Sequence, residues 1–149
     1  MKEFVTKEGY LKLQEELNYY KLVKRVELSE QIKFAVDLGD LRENAEYDAA
    51  MMDYQDIETR IYKIEKFLDN CIVIEKQINE VGIGSKIKVL IDDEEDFYDI
   101  VGPSEVDSLN NKISYLSDFG KKVMGLKIND KAEINGNDYS YNIKILDIK

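Results

Sequence analysis

Apolar side chains recur at Tyr10, Leu13, Leu17 and Tyr20, three and four residues apart. That spacing follows the turn of an α-helix and places all four on one face. Thr6, just ahead of the stripe, has a hydroxyl suited to capping the helix start. The stripe loses phase around Val23 and Lys24 and resumes at Leu28, Ile32 and Ala35, displaced by about one residue, which reads as a stutter in a heptad. Gly39 is the stop signal. A second stripe, Tyr47, Ala50, Tyr54, Ile57, Ile61, Ile64 and Leu68, alternates spacings of three and four without a fault. This is the seam of a coiled coil. Two helices joined by so short a break fold back as an antiparallel hairpin. Arms of roughly 30 residues make it about 45 Å long at 1.5 Å per residue.

After residue 70 the pattern changes. Ile72-Val73-Ile74 is a short apolar run, and 77–85, with Gly82 and Gly84, reads as a linker. Beyond it the period becomes two. Strands are expected over 86–91, 97–101 and 112–116, with an acidic turn at 92–96 and a break at Gly102-Pro103. A short helix is expected over 118–126, then a closing hairpin from 131–134 to 139–148 around Gly136-Asn137. The expected fold class is α+β. An antiparallel α-helical coiled-coil hairpin over 1–76, with an acidic tip at 39–47, is followed by a linker at 77–84. A small, mostly antiparallel β domain with one short helix covers 85–149.

Charge narrows the function classes. The chain has 21 Lys plus Arg against 31 Asp plus Glu, a formal net charge of -10. Tight non-specific binding to duplex nucleic acid, which depends on neutralising phosphates, does not fit that balance; a protein partner does. The imbalance is shared, at -6 over residues 1–75 and -4 over 76–149, so any nucleic-acid contact must come from a local patch. With no histidine, histidine acid–base catalysis and histidine metal ligation are excluded. The single cysteine, Cys71, allows no internal disulfide and fits a reducing compartment. No apolar run reaches the roughly 20 residues of a membrane helix, and a signal-peptide core is missing at the start. A cytoplasmic protein is expected, with no membrane partner. It is expected to be a monomer, because the two stripes satisfy each other.

The chemistry concentrates in Gly39-Asp40-Leu41-Arg42-Glu43-Asn44-Ala45-Glu46-Tyr47. Asp40 and Glu43 have the spacing of a capping box, each side chain accepting from a backbone N–H of the other's turn. Both carboxylates also favour the positive end of a helix. The same spacing lets the pair converge on one hard cation such as Mg²⁺, which takes oxygen ligands. Two carboxylates alone are an incomplete site. They become useful beside a metal that another protein already holds, where a two-metal centre hydrolyses a phosphodiester. On spacing alone the cap is the commoner arrangement.

The tip motif, followed by Ala49-Ala50, resembles that of the bacterial Gre transcript cleavage factors, most closely the GreA type. The similarity runs through Ile57-Glu58-Thr59-Arg60-Ile61, Val101-Gly102 with Glu105 and Asp107, Ile113-Ser114, and Gly125 with Asp130. The resemblance implies a C-terminal domain of FKBP-like fold that docks on the rim of the RNA polymerase secondary channel. It implies a hairpin that enters the channel and brings Asp40 and Glu43 to the active site. There the polymerase hydrolyses the extruded 3′ end of backtracked RNA. The two carboxylates would share an Mg²⁺ with the polymerase, no cofactor being held tightly by the free protein, which is not itself a nuclease. Candidate RNA contacts are Arg42, Asn44 and Tyr47; Arg42 reads equally as a solvated charge, and Tyr47 also falls on the seam. Candidate polymerase-docking residues are Leu116, Ser117 and Asp118.

Three positions depart from the family pattern. Met51 stands where a Lys or Arg commonly begins a basic patch that guides RNA. Ser117-Asp118 replaces a Ser-Pro pair in the docking segment. Val26 replaces a proline and keeps a helical hydrogen bond that proline would remove, so a straighter first arm is expected. Two other functions fit the same architecture: a coiled-coil interaction protein whose tip is only a cap, and a channel-binding regulator that does not stimulate cleavage. Prolyl isomerisation, suggested by the FKBP-like fold alone, lacks a matching aromatic pocket over 85–149.

Overall fold

A computed structural model describes residues 2–39 and 45–149. The chain divides into two compact units, one of Leu11–Asn70 and one of Met1–Tyr10 with Cys71–Lys149.

The helical unit pairs a first arm with helix α3, Ala45–Asn70. The first arm runs from α1, Lys7–Tyr19, through a π-helical turn at Tyr20–Lys24, into α2, Arg25–Asp37. Every stripe residue from Leu13 to Ala35, and every seam residue from Tyr47 to Leu68, is buried or half-buried. The deepest are Leu28, Ala35, Ala50, Ile61 and Ile64. The stutter has a structural cause. In the π turn the Arg25 N–H donates to the Tyr20 carbonyl, five residues back rather than four. One extra residue is thereby absorbed, and the displaced stripe returns to the same face. With Val26 in place of a proline, α2 runs from Arg25 without a break, and the one irregularity of the described first arm is the π turn ahead of it. Arg25, at the end of the turn, donates two hydrogen bonds to Glu58 of α3, 2.6 and 3.0 Å long. Arg60 does the same to Glu16 at 3.0 and 2.8 Å, and Lys21 pairs with Glu65. These partly exposed pairs contribute no more than about 1 kcal/mol each; the fork of Arg25 on both oxygens of Glu58 helps set the alignment of the arms.

The other unit contains a five-stranded sheet of order β5-β4-β3-β7-β6. Its strands are β3 Lys86–Ile91, β4 Glu94–Val101, β5 Lys112–Ser114, β6 Lys131–Asn135 and β7 Ser140–Ile148. All neighbours are antiparallel except β4 and β5. Ile87 and Val89 of β3 meet Ile100 of β4 and Ile143, Ile145 and Ile148 of β7 in one core, closed by Val123 of helix α4, Asp118–Val123. Period two alone would put Ile145 and Ile148 on opposite faces. A bulge opposite Lys88 and Val89 inserts a residue into β7 and brings both inward. The acidic turn is tighter than the expected 92–96. Only Asp92 and Asp93 turn, at φ 46° and 71°, because aspartate tolerates the left-handed conformation a two-residue hairpin needs.

Two boundaries differ from the expectation. Residues 77–84 are not a simple linker: Val81 and Ile83 are buried, and Val81 exchanges backbone hydrogen bonds with Leu126 and Gly125. The glycines there allow a tight path, while the apolar residues between them pack inward. The opening residues are not a lead-in to the hairpin either. Phe4–Thr6 forms β1, paired in parallel with β2, Ile72–Ile74. Residues 1–10 and 71–76 therefore belong with the sheet, not with a 1–76 hairpin.

Glu105 fastens β1. Its carboxylate accepts from the Thr6 N–H at 3.0 Å, from the Thr6 hydroxyl, and from the Gly102 N–H at 3.2 Å. The Thr6 hydroxyl accepts in turn from the Gly9 N–H at 3.0 Å, so Thr6 caps α1 as its sequence position predicts. At Gly102 any Cβ would run into the Phe4 carbonyl oxygen, so the close pass of β1 requires glycine there. Glu105→Ala leaves three donors without this acceptor and is expected to lose about 1–3 kcal/mol. Amide exchange at Thr6 and Gly102 should accelerate, read by hydrogen exchange, while Glu105→Gln retains part of the protection.

Tyr98 of β4 carries a pH signature. Burial, then a 3.0 Å hydrogen bond to the Asp96 carboxylate, push its phenol up to about 12. Folding thus favours the neutral phenol. Its contribution is whole below the ordinary tyrosine pKa of about 10 and is lost as pH rises through the folded value. In an ultraviolet titration, Tyr98→Phe should remove one late-ionising tyrosine.

Candidate functional site

The far end of the hairpin is built by helix termination on both sides. The Leu38 N–H reaches back to the carbonyls of Phe34 and Ala35 at 3.2 and 3.3 Å, and the Gly39 N–H to Val36 at 3.2 Å. Gly39 has a φ of 116° with open space around its Cα, a conformation in which a side chain is strained. It ends α2 as its position in the sequence indicates. The next arm begins at Ala45, with Glu46 and Asp48 in its first turn, where the helix dipole favours negative charge. The tip residues Asp40, Arg42, Glu43 and Asn44 lie outside the described residues, and with them both readings of the carboxylate pair. Tyr47 is half-buried in the seam.

The described surroundings of the tip are strongly acidic. Residues 26–39 and 45–57 contain one basic side chain, Lys33, against seven acidic ones. Averaging over whole halves of the chain conceals this; counting charge by helix segment would have shown it. Met51, where the family commonly begins a basic patch, is half-buried, whereas Met52 is 67 % exposed. Among the described residues no cluster of three or more Asp, Glu, Cys or His could hold a metal ion.

The three docking candidates lie at the start of α4. The Ser117 hydroxyl accepts from the Gly120 N–H at 3.0 Å, capping the helix, and donates to the Ser114 carbonyl at 2.7 Å. Leu116 is held by a 3.0 Å bond from its N–H to the Ser114 hydroxyl, yet its side chain is 46 % exposed. Asp118 opens the helix and is exposed. Asp118 still starts the helix where a Pro would, because Ser117 supplies the cap. An apolar and a charged side chain are thus presented by a locked turn.

Among the described residues no helix is long and apolar enough to cross a membrane. Residues 3–73 match the family described as "Transcription elongation factor, N-terminal", and residues 75–149 the one described as "Transcription elongation factor, GreA/GreB, C-term". The chain is 43% identical over 154 residues to "Transcription elongation factor GreA" of Clostridioides difficile, covering 99% of this chain and 97% of that one. It is 44% identical over 155 residues to the protein of the same name from Clostridium kluyveri, covering 100% and 98%. The crystal structure of GreA factor homolog 1 (Gfh1) of Thermus thermophilus is 22% identical, covers 100% of this chain and 99% of that one, and superposes with a TM-score of 0.47. With both halves matched over nearly their whole length, the chain belongs to the GreA/GreB family of transcription elongation factors.

Proposed function

We propose that this elongation factor acts on bacterial RNA polymerase by reaching through its secondary channel and stimulating hydrolysis of backtracked RNA. The observation that carries this reading is a hairpin whose seam is buried or half-buried within the chain and whose first arm stops at Gly39, directly ahead of Asp40 and Glu43 in the sequence. Such a hairpin needs no second coiled-coil partner and works as a monomeric probe. Leu116, Ser117 and Asp118 form the docking turn on the channel rim.

The tip donors are carboxylate oxygens, which suit Mg²⁺, and two of them do not complete a coordination shell. Asp40 and Glu43 would therefore hold Mg²⁺ jointly with the polymerase. Bound there, Mg²⁺ supplies Lewis acidity for hydrolysis of the phosphodiester. The hydrolysis belongs to the polymerase; this chain contributes positioned negative charge. Arg42 and Asn44 are placed in sequence to meet the RNA 3′ end, whereas Tyr47 is half-buried in packing.

The test is a cleavage assay on polymerase complexes halted in a backtracked register. Saturating factor should release short 3′ fragments and restore elongation. Polymerase binding without fragment release would instead favour a channel-binding regulator. Met51→Lys adds one cation beside a seam residue, from where its stem can extend to water. Cleavage of long backtracked RNA should rise a few-fold at low salt, and the gain should vanish as salt screens it.

A further inference from the structure

On the half of the hairpin nearest the tip, α2 and α3 leave a groove of about 580 Å³ between them. Helix α2 lines it with Glu27, Glu30, Gln31 and Phe34, and helix α3 with Glu46, Ala49, Ala50 and Asp53. On each helix these positions are i, i+3, i+4 and i+7, a single face. The apolar part of the lining is two alanines on one side and, on the other, Phe34, which is 63 % exposed. Four carboxylates form the rim, and no cation lines it among the described residues. Lys33, the only basic residue among the described residues 26–39 and 45–57, lies off the lining face, and Lys24 approaches Glu27 only at 3.9 Å.

An exposed aromatic in a groove floored with alanines leaves apolar surface that a guest side chain can cover. The rim selects which guest. A nucleic acid is repelled by four carboxylates. A bare metal ion is poorly served, because the rim residues are spread along two helices and form no metal-holding cluster. Cations spaced along a chain with an apolar side chain between them match both rim and floor. From this charge complementarity we propose that the groove docks a segment of a partner protein carrying an apolar anchor flanked by lysine or arginine. The anchor covers Phe34 and Ala49, and the basic side chains pair with Glu27 and Glu30 on one wall and Glu46 and Asp53 on the other. This is independent of how Asp40 and Glu43 act.

The test uses the full chain and a capped synthetic peptide with one leucine flanked on each side by two lysines. Amide shifts are followed by NMR as peptide is added. The shifts should concentrate on 27–34 and 46–53, and affinity should fall with salt. The double variant Glu30→Lys/Asp53→Lys should weaken binding by about tenfold or more. The same number of reversals on the sheet unit, Glu94→Lys/Asp138→Lys, should leave it nearly unchanged. Phe34→Ala, or serine in place of the peptide leucine, should weaken binding at unchanged charge. Equal losses from the two double variants would reduce the effect to net charge and overturn the proposal. Indifference to Phe34 and to the peptide leucine would also overturn it, as would a single-stranded RNA that shifts the same amides. All the substituted side chains are exposed, and thermal melts confirm that the variants fold.

Discussion

Asp40→Asn and Glu43→Gln should each leave the chain folded and bound to polymerase while cutting stimulated RNA cleavage by about 100-fold or more. The substitutions separate two roles of the same carboxylates. Asparagine caps a helix about as well as aspartate, and glutamine retains the reciprocal contact of a capping box. A purely structural tip therefore tolerates both. Each removes a negative charge that Mg²⁺ would use under the proposed function. Loss of one ligand from a two-metal centre costs several kcal/mol of transition-state stabilisation, and each ~1.4 kcal/mol is about tenfold in rate. The measurement is single-turnover cleavage at saturating factor, with melting curves and a polymerase-binding assay on the same preparations. Raised Mg²⁺ should restore part of the activity.

Ile64→Ala should unfold the hairpin selectively. The helical unit has few fully buried apolar residues, and Ile64, 2 % exposed, is among the largest. Emptying that position costs about 2–5 kcal/mol, whereas Ile64→Val costs about 0.5–1.5 kcal/mol. An elongated two-arm unit has little other core to absorb the cavity. Its ion pairs, Arg25 with Glu58 and Arg60 with Glu16, are partly exposed and offset little of that loss. Circular dichroism should show a lowered melting transition carrying most of the helical signal, with exchange protection retained at Ile87, Ile100 and Ile145 in the sheet core. A single transition shifted equally at both sets of probes would mean that the two units melt as one.

The hairpin was legible because its signal is periodic and long. Seven seam positions in α3, each three or four residues from the next, leave one face to bury, and the π turn announced itself as a one-residue slip near Val23. The sheet was legible strand by strand from its alternation, but not at its irregularities. The bulge in β7 depends on which residue of β3 it meets. The two-residue turn at Asp92 and Asp93 depends on how far Glu94 to Asp96 continue the ladder. The pairing of β1 with β2 escaped because three residues make no pattern and their partners are distant in sequence. Residues 77–84 misled through composition, since two glycines suggest slack where Val81 and Ile83 are core. Glu105 was recognisable only as part of a family pattern; its work on Thr6 needs the fold. At the tip, residue types and spacing carry the reading, and the acidity around it emerges once the helices are drawn.

The central claim is that Asp40 and Glu43 complete an Mg²⁺ site that the polymerase holds incompletely by itself. It is tested most directly by the Mg²⁺ dependence of RNA hydrolysis in backtracked complexes, measured with no factor, with saturating factor, and with saturating Asp40→Asn. The expected result is a lower Mg²⁺ midpoint with the factor and a return toward the factor-free midpoint with the variant. Acceleration with an unchanged midpoint, equal for the unsubstituted chain and the variant, would contradict it.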